Sequence, residues 1–463
     1  MRSNKKDNIF ALSSTFGQSA IAIFRISGNK TEKIAKKLTK LTKIKNRYAH
    51  YTKIFDLNKK VIDKCVILFF KEPKSYTGED LLEIHTHGSI AVINKITETL
   101  SRIPNTREAN PGEFSKRAFQ NGKASLLFFE GINNLIQSET ESQLKFANQQ
   151  IYGGQGENCL ILREKIMKIV AQLNASIEFS EEVDISIEHE IKHKLNDIKL
   201  EVENMCQSYQ NNKVLVHGQK ILILGPTNVG KSSFFNFLFQ EDKMIISPLK
   251  GTTTDQAERS LSVNGKKTTI IDSAGIRASK KQIEIIGIQK TFKTLEEVQN
   301  IILVLSPDCF YNSNISNIKR LLTAVESKKC VIIYNKIDKD PEKQKFKYWR
   351  DRIPEIKKYK ALSLSCKKEY FKHNMLIKAF NFLEQNLLSI DTNNQAHYFS
   401  ERRHITCLNN VKYNLNRGLD NLENVEICTK FLKDSVSYLD ELYGKYDNEK
   451  ELGFIFSEFC IGK

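Results

Sequence analysis

The chain has 463 residues, enough for about two to four domains, and a formal net charge of +17. It contains no apolar run of about 18 residues and no signal-peptide core at its start, which excludes a membrane-spanning helix and predicts that the protein stays in the cytoplasm. Nine cysteines without a Cys-x-x-Cys pair are typical of a reducing compartment and do not indicate structural zinc.

The basic excess has two interpretations. A strongly basic chain binds polyanions such as RNA. The alternative is compositional, because richness in Lys, Ile and Asn is typical of an AT-rich genome. The densest basic stretches, 30–60 and 339–360, are also consistent with solvated faces. Charge alone therefore leaves RNA binding open.

Residues 1–122 alternate strand-like runs with helical patterns. The runs Ile21–Ile26 and Lys64–Phe70 are rich in the β-branched and aromatic residues that strands prefer. Pro and Gly residues separate these runs from their neighbours. The pattern predicts a small α+β domain.

Helical spacing dominates the segment 123–215. Its clearest apolar face consists of Leu162, Ile166, Ile169, Val170, Leu173 and Ile177, which recur at helical intervals. Residues 386–463 are predicted helical as well. We expect the two segments to form one helical domain with 216–385 inserted between them, because an inserted domain leaves and returns through adjacent ends.

The inserted segment opens with a phosphate-binding loop. The apolar run Lys220–Leu224 leads into Gly-Pro-Thr-Asn-Val-Gly-Lys-Ser at 225–232, the strand–loop–helix context that a P-loop requires. Its glycines turn backbone N–H groups toward a polyphosphate, Lys231 neutralises the phosphates and Ser232 can bind Mg²⁺ at the helix N-terminus.

Two later motifs identify the nucleotide. One strand ends in Asp-x-x-Gly at 272–275, where Asp272 is placed to reach Mg²⁺ and the Gly275 N–H to sense the γ-phosphate. Another ends in Asn-Lys-x-Asp at 335–338, at the sheet edge where open α/β sheets bind ligands. The Asp338 carboxylate can accept two hydrogen bonds from guanine N1–H and N2–H₂, an edge that adenine lacks. The motifs predict a Ras-like domain that binds GTP.

The hydrolytic residues are less evident. The position after Asp-x-x-Gly, often Gln, is Ile276, which cannot orient water. Glu284 is the best nearby general base, the alternative being a solvent-facing Glu on a helix. Asn228 either offers an oxygen to a cation beside the phosphates or stabilises its own loop. The segment 247–255 is a plausible first switch loop, in which Thr253 can coordinate Mg²⁺.

The chain resembles the MnmE family, also called TrmE, of bacterial tRNA-modifying GTPases, over nearly its whole length. Outside the nucleotide motifs, the resemblance rests on the stretches 24–28, 75–80 with Glu83 and 87–88, 109–123, 178–182, 402–404 and the Cys-x-Gly-Lys tail at 460–463. It implies a multidomain α/β plus α protein: a folate-binding-like domain at 1–122, a helical domain at 123–215 and 386–463, and a G domain at 216–385.

The resemblance also implies function. The N-terminal domain is expected to form a homodimer and to bind a tetrahydrofolate derivative, and Arg25, Glu83, Lys123 and Lys463 match the family's folate contacts. A pterin suits a carboxylate and its glutamate tail suits cations, although Arg25 and Glu83 could instead pair with each other. Cys460 is either catalytic or helps to order the folate pocket.

The family's G domains depend on K⁺, whose ligands match the Asn228 side chain and the carbonyls of Ser247, Leu249 and Thr252. Glu284 aligns with the family's water-activating residue. The expected GTP contacts are Asn228, Val229, Gly230, Lys231, Ser232, Ser233, Ser247, Thr252, Thr253, Asp272, Ser273, Ala274, Gly275, Asn335, Lys336, Asp338, Ser365, Cys366 and Lys367.

The expected reaction is modification of the wobble uridine U34 of certain tRNAs at C5, giving a carboxymethylaminomethyl or aminomethyl group. The expected partner is MnmG, which carries FAD and forms a heterotetramer, and 5,10-methylene- or 5-formyl-tetrahydrofolate would supply a carbon. The chain departs from the family in the loop 15–20, at Thr254 and at 124–125. The alternatives are a ribosome-assembly RNA-binding GTPase and a GTP-gated scaffold that has lost folate binding.

Overall fold

The computed structural model describes residues 7–179, 185–240, 258–263, 265–273, 295, 298–309, 315–367, 373–388, 397–444, 449–459 and 462. The chain divides into two compact units. The first consists of Met1–Ile136, Asn148–Glu203 and Thr406–Lys463, and the second of Gln137–Ala147 and Asn204–Ile405. No helix among the described residues is long and apolar enough to cross a membrane.

The strands are β1 (Asn8–Leu12), β2 (Ser19–Ser27), β3 (His50–Phe55), β4 (Val61–Phe70), β5 (Leu81–Gly88), β6 (Thr106–Glu108), β7 (Gln219–Leu224), β8 (Glu258–Val263), β9 (Lys266–Asp272), β10 (Asn300–Leu305), β11 (Lys329–Tyr334) and β12 (Lys360–Ser363).

The α-helices are α1 (Thr31–Thr39), α2 (Ile90–Ser101), α3 (Glu113–Gln120), α4 (Leu126–Ile136), α5 (Glu141–Tyr152), α6 (Gln155–Phe179), α7 (Ile185–His217), α8 (Lys231–Leu238), α9 (Ile315–Ala324), α10 (Gln344–Arg352), α11 (His373–Leu383), α12 (Arg402–Leu419), α13 (Val425–Tyr443) and α14 (Glu449–Ser457). Short 3₁₀ turns lie at Pro307–Cys309, Ile337–Lys339 and Pro354–Lys358, and one π turn at Glu384–Leu388.

The first unit contains a sheet in the order β3-β4-β5-β2-β1-β6. Its neighbours are antiparallel except β1 and β6. Along β2, Phe24 and Ile26 are buried in a core that includes Ile34 of α1 and Ile93 of α2. Because side chains alternate along a strand, Arg25 lies on the opposite face of the sheet.

Helix α6 packs along α13 in the same unit. Residues Leu162, Ile166, Ile169, Val170 and Leu173 are all at most 2% exposed, which confirms the predicted apolar face at these positions. The helical domain is thus built from two chain segments that flank the nucleotide-binding sequence.

The last helix returns to the first unit's α+β part. Phe456 and Phe459 share a core with Ala118 and Phe129. At Gly112, where φ is +64°, a Cβ atom would lie 2.2 Å from the Phe456 carbonyl oxygen. Only glycine permits this approach, so the loop before α3 packs directly against the end of α14.

The second unit contains a sheet in the order β12-β11-β10-β7-β9-β8. Its neighbours are parallel except β8 and β9, and every residue of β10 is buried, as expected of a strand covered on both faces. Val263 pairs with Lys266, so β8 and β9 form a hairpin; Asn264 lies outside the described residues. The predicted α/β domain is confirmed.

Candidate functional site

The P-loop follows β7, which lies between β10 and β9. Gly225 has φ of +149°, and a Cβ atom there would lie 2.2 Å from the Val304 carbonyl oxygen. Gly230 has φ of +92°, and a Cβ atom there would lie 2.3 Å from Asn335 Nδ2. Both positions therefore require glycine. Asn228 also has a left-handed φ of +61°.

Helix α8 begins directly after this loop, at Lys231. The Lys231 side chain is buried, and its Nζ donates to the carbonyls of Gly225 at 3.0 Å and Pro226 at 2.7 Å. Ser232 and Ser233 are exposed in the first turn of α8, where the helix dipole and free N–H groups favour anions. The arrangement suits a polyphosphate.

Asp272 ends the neighbouring strand β9. It pairs in register with Ile223 of β7, so it lies at the same carboxyl edge of the sheet as the P-loop. Asp272 and Ser273 are both buried. A carboxylate at this edge and a hydroxyl at Ser232 are hard oxygen donors of the kind that Mg²⁺ prefers, so the residues present suit that ion.

Asn335, after β11, links three loops. Its Nδ2 donates to the Val229 carbonyl at 3.1 Å, and its Oδ1 accepts from the backbone N–H of Lys336 at 2.8 Å and of Cys366 at 3.2 Å. It is 2% exposed. The P-loop, the segment 335–338 and the segment 365–367 are thus tied to one side chain.

Lys336 extends this link. Its Nζ donates to the Asn228 carbonyl at 2.6 Å and to Asp308 Oδ2 at 3.0 Å, and Lys339 binds the same carboxylate at 2.8 Å. The pKa of Asp308 lies below its ordinary value, mainly because of the hydrogen bond from Lys339 and secondly because of the one from Lys336. Sequence reasoning missed Asp308, although an acid just after β10 lies at the ligand-binding edge of the sheet.

Asp338 is held by the loop after β12. Its Oδ1 accepts from the Ser365 hydroxyl at 2.7 Å and its Oδ2 pairs with Lys367 Nζ at 2.9 Å. Burial works to raise the pKa of Asp338, but the hydrogen bonds from Lys367 and Ser365 outweigh it and the pKa lies below its ordinary value. The carboxylate is therefore charged and oriented at neutral pH.

Cys366 contributes its backbone to this loop. Burial raises the pKa of its thiol to about 12, so the side chain is a neutral thiol at physiological pH. The residue's N–H, which donates to Asn335 Oδ1, carries the contact with the neighbouring loop. A cysteine is therefore compatible with this position.

Several predicted site residues lie outside the described residues. They are Ser247, Leu249, Thr252, Thr253, Thr254, Ala274, Gly275, Ile276, Glu284, Cys460 and Lys463.

A second polar cluster lies on the first unit's sheet. Arg25 Nε pairs with Glu83 Oε1 at 2.9 Å, as one of the sequence alternatives held. The Arg25 guanidinium lies 5.6 Å from the centre of the Tyr76 ring and its Nη1 donates to the Gly462 carbonyl at 3.4 Å. Ser13 Oγ donates to the same carbonyl at 3.2 Å. Gly462 thus contacts Arg25 of the Arg25–Glu83 pair.

His85 was missed by sequence reasoning. Its Nε2 lies 3.3 Å from Glu83 Oε2, because residues two apart on β5 share a face. The hydrogen bond with His85 lowers the pKa of Glu83 against the opposing effect of burial, and the Arg25 hydrogen bond lowers it further. The Lys123 ammonium binds the Pro73 carbonyl at 2.9 Å and, within the described part of the chain, makes no contact with this cluster.

The Ser75–Asp80 motif supports the same sheet. Glu79 Oε2 lies 3.2 Å from Arg117 Nη1 and accepts from the Ser27 hydroxyl at 2.9 Å. Both members of the ion pair are under 10% exposed. Arg117 also pairs with Glu113 at 3.1 Å, whereas Arg117 is the cation that pairs with the buried Glu79 carboxylate. Losing Arg117 would therefore leave a buried negative charge without its cation.

Two family models match the chain. The "GTP-binding protein TrmE N-terminus" matches residues 8–123 and the "MnmE helical domain" matches residues 126–460. Among solved structures, the G domain of FeoB from Methanococcus jannaschii is 19% identical, covers 36% of this chain and 97% of its own, and gives a TM-score of 0.25; that likeness carries no weight in the assignment.

Curated relatives match from end to end. The protein of Buchnera aphidicola subsp. Cinara cedri is 33% identical over 99% of each chain. That of Aquifex aeolicus is 31% identical over 99% of this chain and 100% of its own, and that of Pelagibacter ubique is 34% identical over 98% and 100%. Each is named tRNA modification GTPase MnmE. The chain therefore belongs to the MnmE family of tRNA modification GTPases.

Proposed function

We propose that this GTPase modifies the wobble uridine U34 of certain tRNAs at C5, installing a carboxymethylaminomethyl or aminomethyl group together with the FAD-containing protein MnmG. The observation that carries the proposal is that one chain combines nucleotide-binding motifs with a TrmE-type N-terminal region and matches relatives named for tRNA modification. The reaction would take place in the bacterial cytoplasm.

The nucleotide half of the proposal rests on the second unit. Asp338 would accept the hydrogen bonds of guanine, while Asn335 keeps its loop in place against the P-loop. Lys231 would exchange its loop carbonyls for the phosphates of GTP. Ser232 and Thr253 would hold Mg²⁺, which neutralises phosphate charge when bound. Glu284 would activate the attacking water.

Potassium dependence is part of the proposal. The Asn228 side chain would contribute one oxygen, and the carbonyls of Ser247, Leu249 and Thr252 the others. The backbone of Asn228 supports this assignment. It has a left-handed conformation, and its carbonyl accepts a hydrogen bond from the Lys336 ammonium, which holds the residue in place. A bound monovalent cation supplies positive charge near the γ-phosphate, where charge develops during hydrolysis.

Folate use rests on the Arg25 cluster. Glu83 is a charged, half-buried carboxylate suited to a pterin, and Arg25, Lys123 and Lys463 are cations suited to a glutamate tail. The contact of the Gly462 carbonyl with Arg25 would bring Cys460 close to the same cluster. The bound tetrahydrofolate derivative would supply the one-carbon unit, and a homodimer through this domain would complete the enzyme with MnmG.

The alternatives make different predictions. A ribosome-assembly GTPase needs an RNA-binding module, whereas residues 8–123 match the TrmE N-terminus. A scaffold without folate use would hydrolyse GTP but give no heat with 5-formyltetrahydrofolate in calorimetry.

Reconstitution tests the proposal. The purified chain is combined with MnmG, FAD, GTP, KCl, a tetrahydrofolate one-carbon donor, glycine or ammonium, and a tRNA transcript with U34, and the nucleosides are analysed by mass spectrometry. We expect the added mass on U34, lost when GTP or folate is omitted and reduced when NaCl replaces KCl. An unmodified U34 with active GTP hydrolysis would refute the proposed reaction.

A further inference from the structure

A cavity of about 450 Å³ lies in the second unit beside α10, the turn Pro354–Lys358 and the edge strand β12. Five cations and two aromatic rings line it: Lys343, Arg350, Lys357, Lys358, Lys360, Phe346 and Tyr359. No described residue that lines it is acidic. None of its lining residues belongs to the nucleotide site.

The positive charge of this cavity is poorly neutralised. Lys357 pairs with Asp351 at 2.8 Å and Lys358 with Glu326 at 2.9 Å. Every member of these pairs is more than half exposed, and exposed pairs of this kind contribute little. Their cations therefore remain available to a stronger anion.

The other three cations form no ion pair with a described carboxylate. These are Lys343, Arg350 and Lys360; Arg350 instead lies 5.8 Å from the centre of the Phe346 ring. The nearby Asp340 accepts from the Tyr334 hydroxyl at 2.7 Å and from the Phe346 N–H at 3.3 Å. Asp340 thus serves the internal structure of the unit, and these three cations are left facing solvent or an anion.

We propose that this cavity binds the phosphate backbone of tRNA, an inference that rests on the proposed function. Lys and Arg side chains provide the charge that phosphates require, and the Tyr359 ring offers a face on which a base can stack. A volume of about 450 Å³ exceeds that of one phosphate and is in the range of small-ligand pockets. An acidic protein surface would instead favour a broad apolar centre at the contact, whereas the apolar part of this lining is limited to Ala361 and the buried Phe346.

The test compares two triple variants of the full-length protein. K343Q/R350Q/K360Q removes the three cavity cations that have no ion pair with a described carboxylate. K213Q/R320Q/K378Q removes the same charges from exposed positions of the same unit outside the cavity. The probe is a fluorescein-labelled transcript of a tRNA with U34, and anisotropy gives its Kd from about 50 to 300 mM KCl, a range in which phosphate contacts change affinity strongly.

We expect the cavity variant to bind tRNA at least about tenfold more weakly at about 0.1 M KCl. The slope of log K against log salt should fall by nearly 3, since three cations are removed and each phosphate contact contributes about 0.9 unit. The control should lose far less. Both variants should retain wild-type GTP hydrolysis without tRNA. The double variant K343Q/K360Q, which spares the Arg350–Phe346 contact, should show about two thirds of that slope change.

Equal tRNA affinity of the cavity and control variants would overturn the inference while leaving U34 modification by the wild type, and thus the proposed function, intact. Loss of binding to MnmG with tRNA binding retained would also overturn it, in favour of an acidic protein surface. Absence of tRNA binding by the wild type would overturn it too. U34 mass analysis then reports separately on the proposed function.

Discussion

The side-chain amide of Asn335 donates a hydrogen bond to the backbone carbonyl of Val229 at 3.1 Å. The bond joins the loop predicted to bind phosphates to the loop predicted to bind guanine, across 106 positions of sequence. Since the same side chain also accepts from the Cys366 N–H, the nucleotide site is held as one unit by a residue that is itself buried.

Replacing Asn335 by alanine should therefore weaken the whole site. The buried Val229 carbonyl and the partly buried N–H groups of Lys336 and Cys366 would lose their partner. Each buried group left unpaired costs about 1–3 kcal/mol. We expect at least about tenfold weaker binding of a fluorescent GDP analogue and a lower unfolding midpoint. Asn300→Ala, which removes one bond to Gln219 in the same sheet, should leave nucleotide affinity unchanged; equal effects would contradict the linking role.

Asp338→Asn should change the preferred base. The amide replaces one acceptor by a donor and loses the ion pair with Lys367. We therefore expect about 10–100-fold weaker GTP binding, which is the scale of a hydrogen bond to a charged group. Binding of xanthosine triphosphate should improve. Competition titrations measure both. Asp351→Asn, at an exposed pair, is the control, and an unaltered base preference in Asp338→Asn would show that the guanine loop is elsewhere.

Glu83 makes a pH-dependent contribution to stability. Its pKa is lowered in the folded state by His85 and Arg25, so its stabilising effect is present above the unfolded pKa near 4.5 and is lost as the pH falls through the folded value. Glu83→Gln should be less stable than the wild type by about 1 kcal/mol near pH 7, and the difference should shrink below about pH 4.5.

Urea unfolding of the two proteins at a series of pH values checks this. Glu108→Gln, exposed on β6 of the same sheet, should match the wild type throughout. A Glu83 difference that persists undiminished in acid would mean that packing, and not charge, explains it.

Glu284→Ala tests the proposed general base. We expect nearly unchanged GTP affinity and a hydrolysis rate lower by about 10²-fold or more, the scale for loss of a general base. Single-turnover hydrolysis with saturating protein separates the chemical step from binding. Wild-type turnover in this variant would remove Glu284 from the mechanism.

Features that depend on contiguous stretches of sequence are the ones that the sequence predicts most reliably. The P-loop, the strand ending at Asp272 and the Asn335–Asp338 motif are contiguous patterns, and each lies at the carboxyl edge of the observed sheet. The apolar face of α6 is likewise a periodic signal. The α/β plus helical architecture followed from these patterns.

What escaped prediction depends on pairing between distant segments. Asp308 becomes a partner of Lys336 only because β10 and β11 are parallel neighbours. Whether Arg25 and Glu83 meet depends on the register of β2 against β5, which places them opposite each other. No spacing rule in one sequence gives that register, and His85 joins the cluster only once it is known.

The most direct test of the account is nucleoside mass spectrometry of tRNA from a bacterial strain that lacks its own MnmE and expresses this chain. We predict that the wild type restores the C5 modification of U34, that Lys231→Ala does not, and that Lys220→Ala, an exposed position on β7, restores it. Unmodified U34 with the wild-type protein, expressed and active as a GTPase beside its cognate MnmG, would contradict the central claim.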